Sequence, residues 1–239
     1  MNEMIRRFLR QKFNNLGVVI ALSALALLAG FQLAVSGGEG GLEVGTIGVL
    51  VLAAACVSKD ASSGALQMIL CRPIRRSDYL LGRFLGVLAA YAVFLIAAVG
   101  LALVFSRLLP LLGAPAQTLA PAAVARGLAA SMLSAIGAAA PILLLSTFLP
   151  GYGDVLGYIL LTPLLAVPGV AAQILKAPAI EKAGALLRRN LLPSPDWSAV
   201  LSGQNPLGEA TGRWVFAVTA EILLAIVLFN RREFAYGQD

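Results

Sequence analysis

Residues 16–35 contain no charged side chain, and a run of that length wound as helix reaches across the ~30 Å hydrocarbon core of a bilayer. Further mostly apolar runs follow, and together they predict six spans: Leu16 to Val35, Leu42 to Val57, Phe84 to Phe105, Ala122 to Leu149, Val155 to Leu175 and Trp214 to Phe229. Lipid offers no hydrogen bonds, so a backbone that crosses it must satisfy its own polar groups, and runs of this length do so as α-helix. The expected fold is therefore an all-α integral membrane protein, with residues 1–239 forming one membrane domain.

Composition agrees. The chain is 59% hydrophobic and 13% charged, against roughly a quarter charged in soluble domains. Its net charge of +6 resides beside apolar runs and is not interleaved with aromatics, which argues for topology and against nucleic acid as a partner. Histidine is absent, which excludes His-dependent triads and His-ligated metal sites. Cys56 and Cys71 fall near the expected cytoplasmic face, where thiols stay reduced, so the pattern supports neither a disulfide framework nor a metal cluster.

Residues 1–15 read as an interfacial helix. Met4, Ile5, Phe8, Leu9 and Phe13 share one face and Arg6, Arg7, Arg10 and Gln11 the other, a pattern that lays its apolar stripe in the headgroup boundary and turns arginines to anionic lipid. The apolar run that follows is too long for a signal peptide's core, so the segment is expected to be retained. With both termini inside, more Lys and Arg fall on the cytoplasmic side than outside, as the positive-inside rule requires. Residues 176–213 form the external segment, where Ile180, Gly184, Leu187 and Leu191 recur at helical spacing before Pro193, Pro195 and Trp197 turn the chain back. Pro141, Pro163 and Pro168 are expected to kink or interrupt the fourth and fifth spans.

Residues 58–83 connect spans two and three on the cytoplasmic side, and their pattern is distinctive. Ser62 or Ser63 caps a short helix that Pro73 stops, and Ser77 caps the next helix. Leu66, Met68, Ile69 and Ile74 are expected to be exposed beside Arg72, Arg75 and Arg76, and apolar residues rimmed by charge suggest docking.

The run Asp60, Gly64, Ala65, Leu66, Gln67, Ile69, Leu70, Pro73, Ile74, Arg76, Leu80, Leu81, Gly82, Arg83 resembles the signature of ABC type-2 permeases. Ala65, Gln67 and Arg83 stand where the family's usual form has Thr, Glu and Lys. The resemblance implies a permease subunit of the prokaryotic cytoplasmic (inner) membrane, paired with a second copy or a related chain. A separate ATP-binding subunit would dock on a coupling helix built from Gly64, Leu66, Met68, Ile69, Arg72, Pro73, Ile74, Arg75 and Arg76. The chain has no Gly-x-x-x-x-Gly-Lys-Ser/Thr loop, so ATP and Mg are expected on that partner, with no cofactor, metal or catalytic residue here. Export of a hydrophobic or amphiphilic substrate is the expected activity. A secondary transporter, or an ABC-type mechanical scaffold without translocation, are the alternatives.

Two acidic residues complete the candidates. Glu221 falls near the middle of the sixth span, where a carboxylate is costly; it is expected to serve the substrate path or dimer seam, or to make a protonated structural hydrogen bond, with Arg126 or Gln173 as a partner. Gly151-Tyr152-Gly153-Asp154 matches the Gly-x-Gly-Asp of aspartyl intramembrane proteases, but that chemistry needs a second aspartate within the membrane. A tight turn with Asp154 capping the fifth span is the expected reading.

Overall fold

The computed structural model describes residues 2–37, 45–57, 60, 66, 75–113, 118–149, 151–175, 182, 185–186, 195–203 and 208–231. These form α1 (Asn2–Phe13), α2 (Leu16–Ser36), α3 (Gly45–Ala53), α4 (Arg76–Leu111), α5 (Pro121–Ser146), α6 (Gly153–Leu175), α7 (Trp197–Leu201) and α8 (Glu209–Arg231). Among the described residues α2, α4, α5 and α8 are long and apolar enough to cross a membrane. Their exposed surfaces carry residues such as Phe31, Ile96, Leu103, Phe216 and Leu223, side chains that lipid solvates and water does not.

The second expected span differs most. Helix α3, as far as it is described, runs over Gly45–Ala53, about 14 Å at 1.5 Å per residue, and ends four residues before the expected Val57. It gives way to a turn in which Ala55 has φ of 52°. Helix α4, by contrast, begins at Arg76, well before Phe84, and its 36 residues extend about 54 Å. Helix α8 begins at Glu209, ahead of the expected Trp214. The prolines do not interrupt their helices: α5 continues through Pro141 and α6 through Pro163 and Pro168, since one missing amide removes only one rung of the ladder. Most of the helical pattern expected at residues 180–191 lies outside the described residues.

By its internal contacts the chain divides into two compact units, each assembled from stretches separated in sequence. The first comprises Met1–Ala53, Leu81–Ala139 and Asp196–Pro206. Here α2 meets α4 at small residues: a Cβ at Gly30 would stand 2.8 Å from Leu101 Cβ and 2.9 Å from the Ala98 carbonyl oxygen. Ala26, Ala29 and Ala34 of α2, and Ala98 and Ala102 of α4, are buried, and small residues of this kind let helix backbones approach within van der Waals range where no hydrophobic effect drives them together. Phe31 and Phe105 add an edge-to-face pair with centroids 6.0 Å apart. Tyr91 of α4 and Ser131 of α5 share a buried hydroxyl–hydroxyl bond of 2.6 Å.

Helix α1 packs on α4. Met4 rests on Gly82 and Phe8 on Gly86, where a Cβ would lie 3.0 Å from Met4 Sδ and 2.9 Å from Phe8 Cδ1. Two glycines one turn apart thus receive two side chains one turn apart. Arg83, between them and buried, donates to Gln11 Oε1 at 2.9 Å, and its guanidinium and the Lys12 ammonium lie 5.5 and 5.6 Å from the Phe8 ring centroid, positions in which cations are attracted to the ring. In α7 the Asp196 carboxylate caps the helix by accepting from Ser198 N and Ala199 N. The Ser198 hydroxyl and then these amides hold that carboxyl below its ordinary 3.8.

The second unit comprises Ala54–Leu80, Ala140–Pro195 and Leu207–Asp239. It contains Asp60, Leu66 and residues 75–80 of the basic segment.

Candidate functional site

The turn after α3 is gripped by side chains from the end of α5 and the start of α6. Asp154 accepts from Ala55 N through both carboxylate oxygens, at 3.2 and 2.9 Å, and from Val155 N at 2.8 Å. Ser146 Oγ accepts from Val57 N at 3.1 Å and from the Cys56 thiol at 3.8 Å. Asp154 and Ser146 are fully buried. The α5–α6 connection brings them together by turning at Gly151, whose φ of 63° suits a residue without Cβ. A turn carries backbone amides that helix would otherwise satisfy, and a buried amide without a partner is costly. Here two side chains from a distant helical hairpin supply the acceptors, which explains why α3 ends where it does.

Three residues further on, Asp60 N donates to the Val57 carbonyl at 3.1 Å and Asp60 Oδ2 accepts from the Tyr79 hydroxyl at 2.7 Å. Asp60 is 4% exposed, and burial of a carboxylate is tolerable only with such donors. Tyr79 belongs to the first turn of α4, so this bond closes residues 60–79 at their base. The Tyr79 ring stacks on Phe229 of α8, with centroids 5.8 Å apart and planes at 15°. Arg76 Nη1 donates to the Asn230 carbonyl in the last turn of α8 at 3.0 Å, an end where helix carbonyls lack intrahelical partners and cations are favoured. The segment is thus rooted at its entrance in α5 and α6 and at its exit in α8.

Of the expected docking residues, Leu66 is 1% exposed. That corrects its expected exposure: the leucine gains more from burial in its own chain, about 1.5–3 kcal/mol, than it would in water. Arg75 is exposed, and Arg76 is half-buried with a donor committed to α8. Gly64, Met68, Ile69, Arg72, Pro73 and Ile74 lie outside the described residues. Tyr79, Phe229 and Ser146 were not singled out from the sequence. Asp154 does sit in the first turn of its helix as expected, but its main task is to hold Ala55, and its oxygens are occupied by backbone amides.

Glu221 is half-buried on α8, on a helix that buries Ala217, Val218 and Ala225. Tyr158 of α6 is within its electrostatic reach, and neither a hydrogen bond nor an ion pair joins Glu221 to another described residue. Arg126, one expected partner, is exposed on α5; the Gln173 side chain lies outside the described residues. At the start of the same helix Arg213 pairs with Glu209. Among the described residues no group of three His, Cys, Asp or Glu is placed to hold a metal ion.

No protein-family model matches the chain, and no curated protein matches it either.

Proposed function

We propose that this chain is the membrane-embedded permease subunit of an ATP-driven transporter of the ABC type-2 kind. A separate ATP-binding subunit docks on residues 58–83, the chain pairs with a second permease, and the complex exports a hydrophobic or amphiphilic substrate across a prokaryotic inner membrane with both termini cytoplasmic. The signature-like run of residues 60–83 suggests the class. The observation that carries the mechanism is the double root of the segment: Ala55 and Val57 held by Asp154 and Ser146, and Arg76 and Tyr79 held by the last turn of α8.

The mechanism follows from that rooting. A force applied by a partner between residues 60 and 75 is delivered through buried hydrogen bonds and a ring stack to α5, α6 and α8, which move as packed bodies. Arg75 is the described basic side chain turned outward at the exit, suited to steer an acidic partner surface. Leu66 is buried within the chain and so is not part of that outward surface. ATP and Mg act on the partner, which supplies hydrolysis.

Glu221 favours a second reading, an ion-coupled secondary transporter, because a carboxylate within a membrane helix and without an ion-pair partner among the described residues is a candidate proton carrier. One experiment separates the two. The chain, purified in mild detergent together with a phosphate-loop ATPase, is assayed for ATPase stimulation, then reconstituted for transport driven either by ATP or by a proton gradient. The proposal expects copurification, ATP-driven transport, and loss of stimulation in an Arg75→Glu/Arg76→Glu variant that still folds. Transport driven by the proton gradient without ATP, and lost in Glu221→Gln, would establish the second reading instead.

A further inference from the structure

Helix α1 has three sides, and the packing accounts for one of them. Met4 and Phe8 rest on Gly82 and Gly86. Gln11 and Lys12 close that side, the first by accepting from Arg83 and the second by standing over the Phe8 ring. At about 100° per residue the next side along carries Ile5, Leu9 and Phe13. Phe13 is 38% exposed, and the apolar surface continues into α2 with Leu16 and Ile20 at 73% and 60% exposed. The third side carries Glu3, Arg7 and Asn14, all exposed. Arg6 and Arg10, one turn apart, fall on the line between the apolar and the polar side. Both are exposed, and neither forms an ion pair with a described residue.

We propose that Arg6 and Arg10 form a headgroup site for an anionic glycerophospholipid, with Leu9 and Phe13 against its acyl chains. A guanidinium on an apolar border places its donors at the depth of the phosphodiester and grips it in bidentate fashion. The apolar neighbours decide for lipid over an acidic protein surface, because acyl chains cover Leu9, Phe13, Leu16 and Ile20 in one continuous layer. Docking on α4 fixes the rotation of α1, so the two arginines are presented in advance and ordering costs little. Arg7, turned toward water on the same helix, is an internal comparison. The site stands independently of the transport reading.

The full-length protein in neutral detergent is titrated with phosphatidylglycerol and with phosphatidylcholine of identical chains, and bound lipid is counted by native mass spectrometry. The expected result is a preference for phosphatidylglycerol that falls about thirtyfold in Arg6→Gln/Arg10→Gln, the scale of two basic residues at an anionic surface. Arg6→Lys/Arg10→Lys should retain most of the preference, and Arg7→Gln should leave it in place. Equal retention of both lipids by the native chain, an unchanged preference in Arg6→Gln/Arg10→Gln, or an equal loss in Arg7→Gln would overturn the site. So would a double variant that loses an acidic protein partner while keeping its lipid preference.

Discussion

Ala55 holds a left-handed backbone, φ 52°, that costs an L-residue with a Cβ about 1–2 kcal/mol. The Asp154 carboxylate is what retains it there, through two contacts with Ala55 N. Asp154→Ala strands that amide in a buried position and should destabilise the protein by about 1–3 kcal/mol, read as a lower melting temperature in detergent. Ala55→Gly removes the steric cost and should raise stability by about 1 kcal/mol; a fall would show that the methyl group has a packing role there. The sequence made Asp154 visible as an acid at a helix start. Its partner was not visible, because Ala55 lies 99 positions away and has no side-chain group to advertise the contact. Tyr79 and Phe229 were hidden for a related reason, since an aromatic in an apolar chain reads as core until its stacking partner is known.

Hydropathy made α2, α4, α5 and α8 legible, because each is a long apolar run and length decides that question. It failed for α3. The composition of residues 42–57 is that of a span, but the helix is ended by tertiary capture of the Ala55 and Val57 amides, which no local pattern encodes. The face of α1 was readable and its docking was not: the amphipathic stripe signalled burial, while the receiving notch needed Gly82 and Gly86 to be recognised as a pair. That notch is testable. Gly86→Leu places a side chain where the Phe8 ring lies and should release α1, forfeiting about 1.5–3 kcal/mol of Phe8 burial. Trypsin should then cleave the full-length protein after Arg6, Arg7 or Arg10 faster than in the native chain, and unchanged cleavage would show that α1 is held by other contacts.

For the molecule as a whole, the all-helical class and the membrane setting were readable from the apolar runs, whereas the division into two compact units arises from contacts between stretches far apart in sequence. The proposed topology makes a prediction at this scale. In a chain with Cys71 replaced by serine, Gly113→Cys should react with an impermeant maleimide added outside intact cells, and Tyr152→Cys should react only after the membrane is opened. Labelling of both from outside would refute the orientation. Gly30 has a wider consequence. With room for nothing larger than hydrogen between it and the Ala98–Ala102 backbone, the first long membrane helix cannot slide along its neighbour without a collision, and the N-terminal helix is keyed to that same neighbour at Gly82 and Gly86. These three pieces form a chassis: whatever stroke the protein performs, they travel together, and the compliance must come from the rest of the chain.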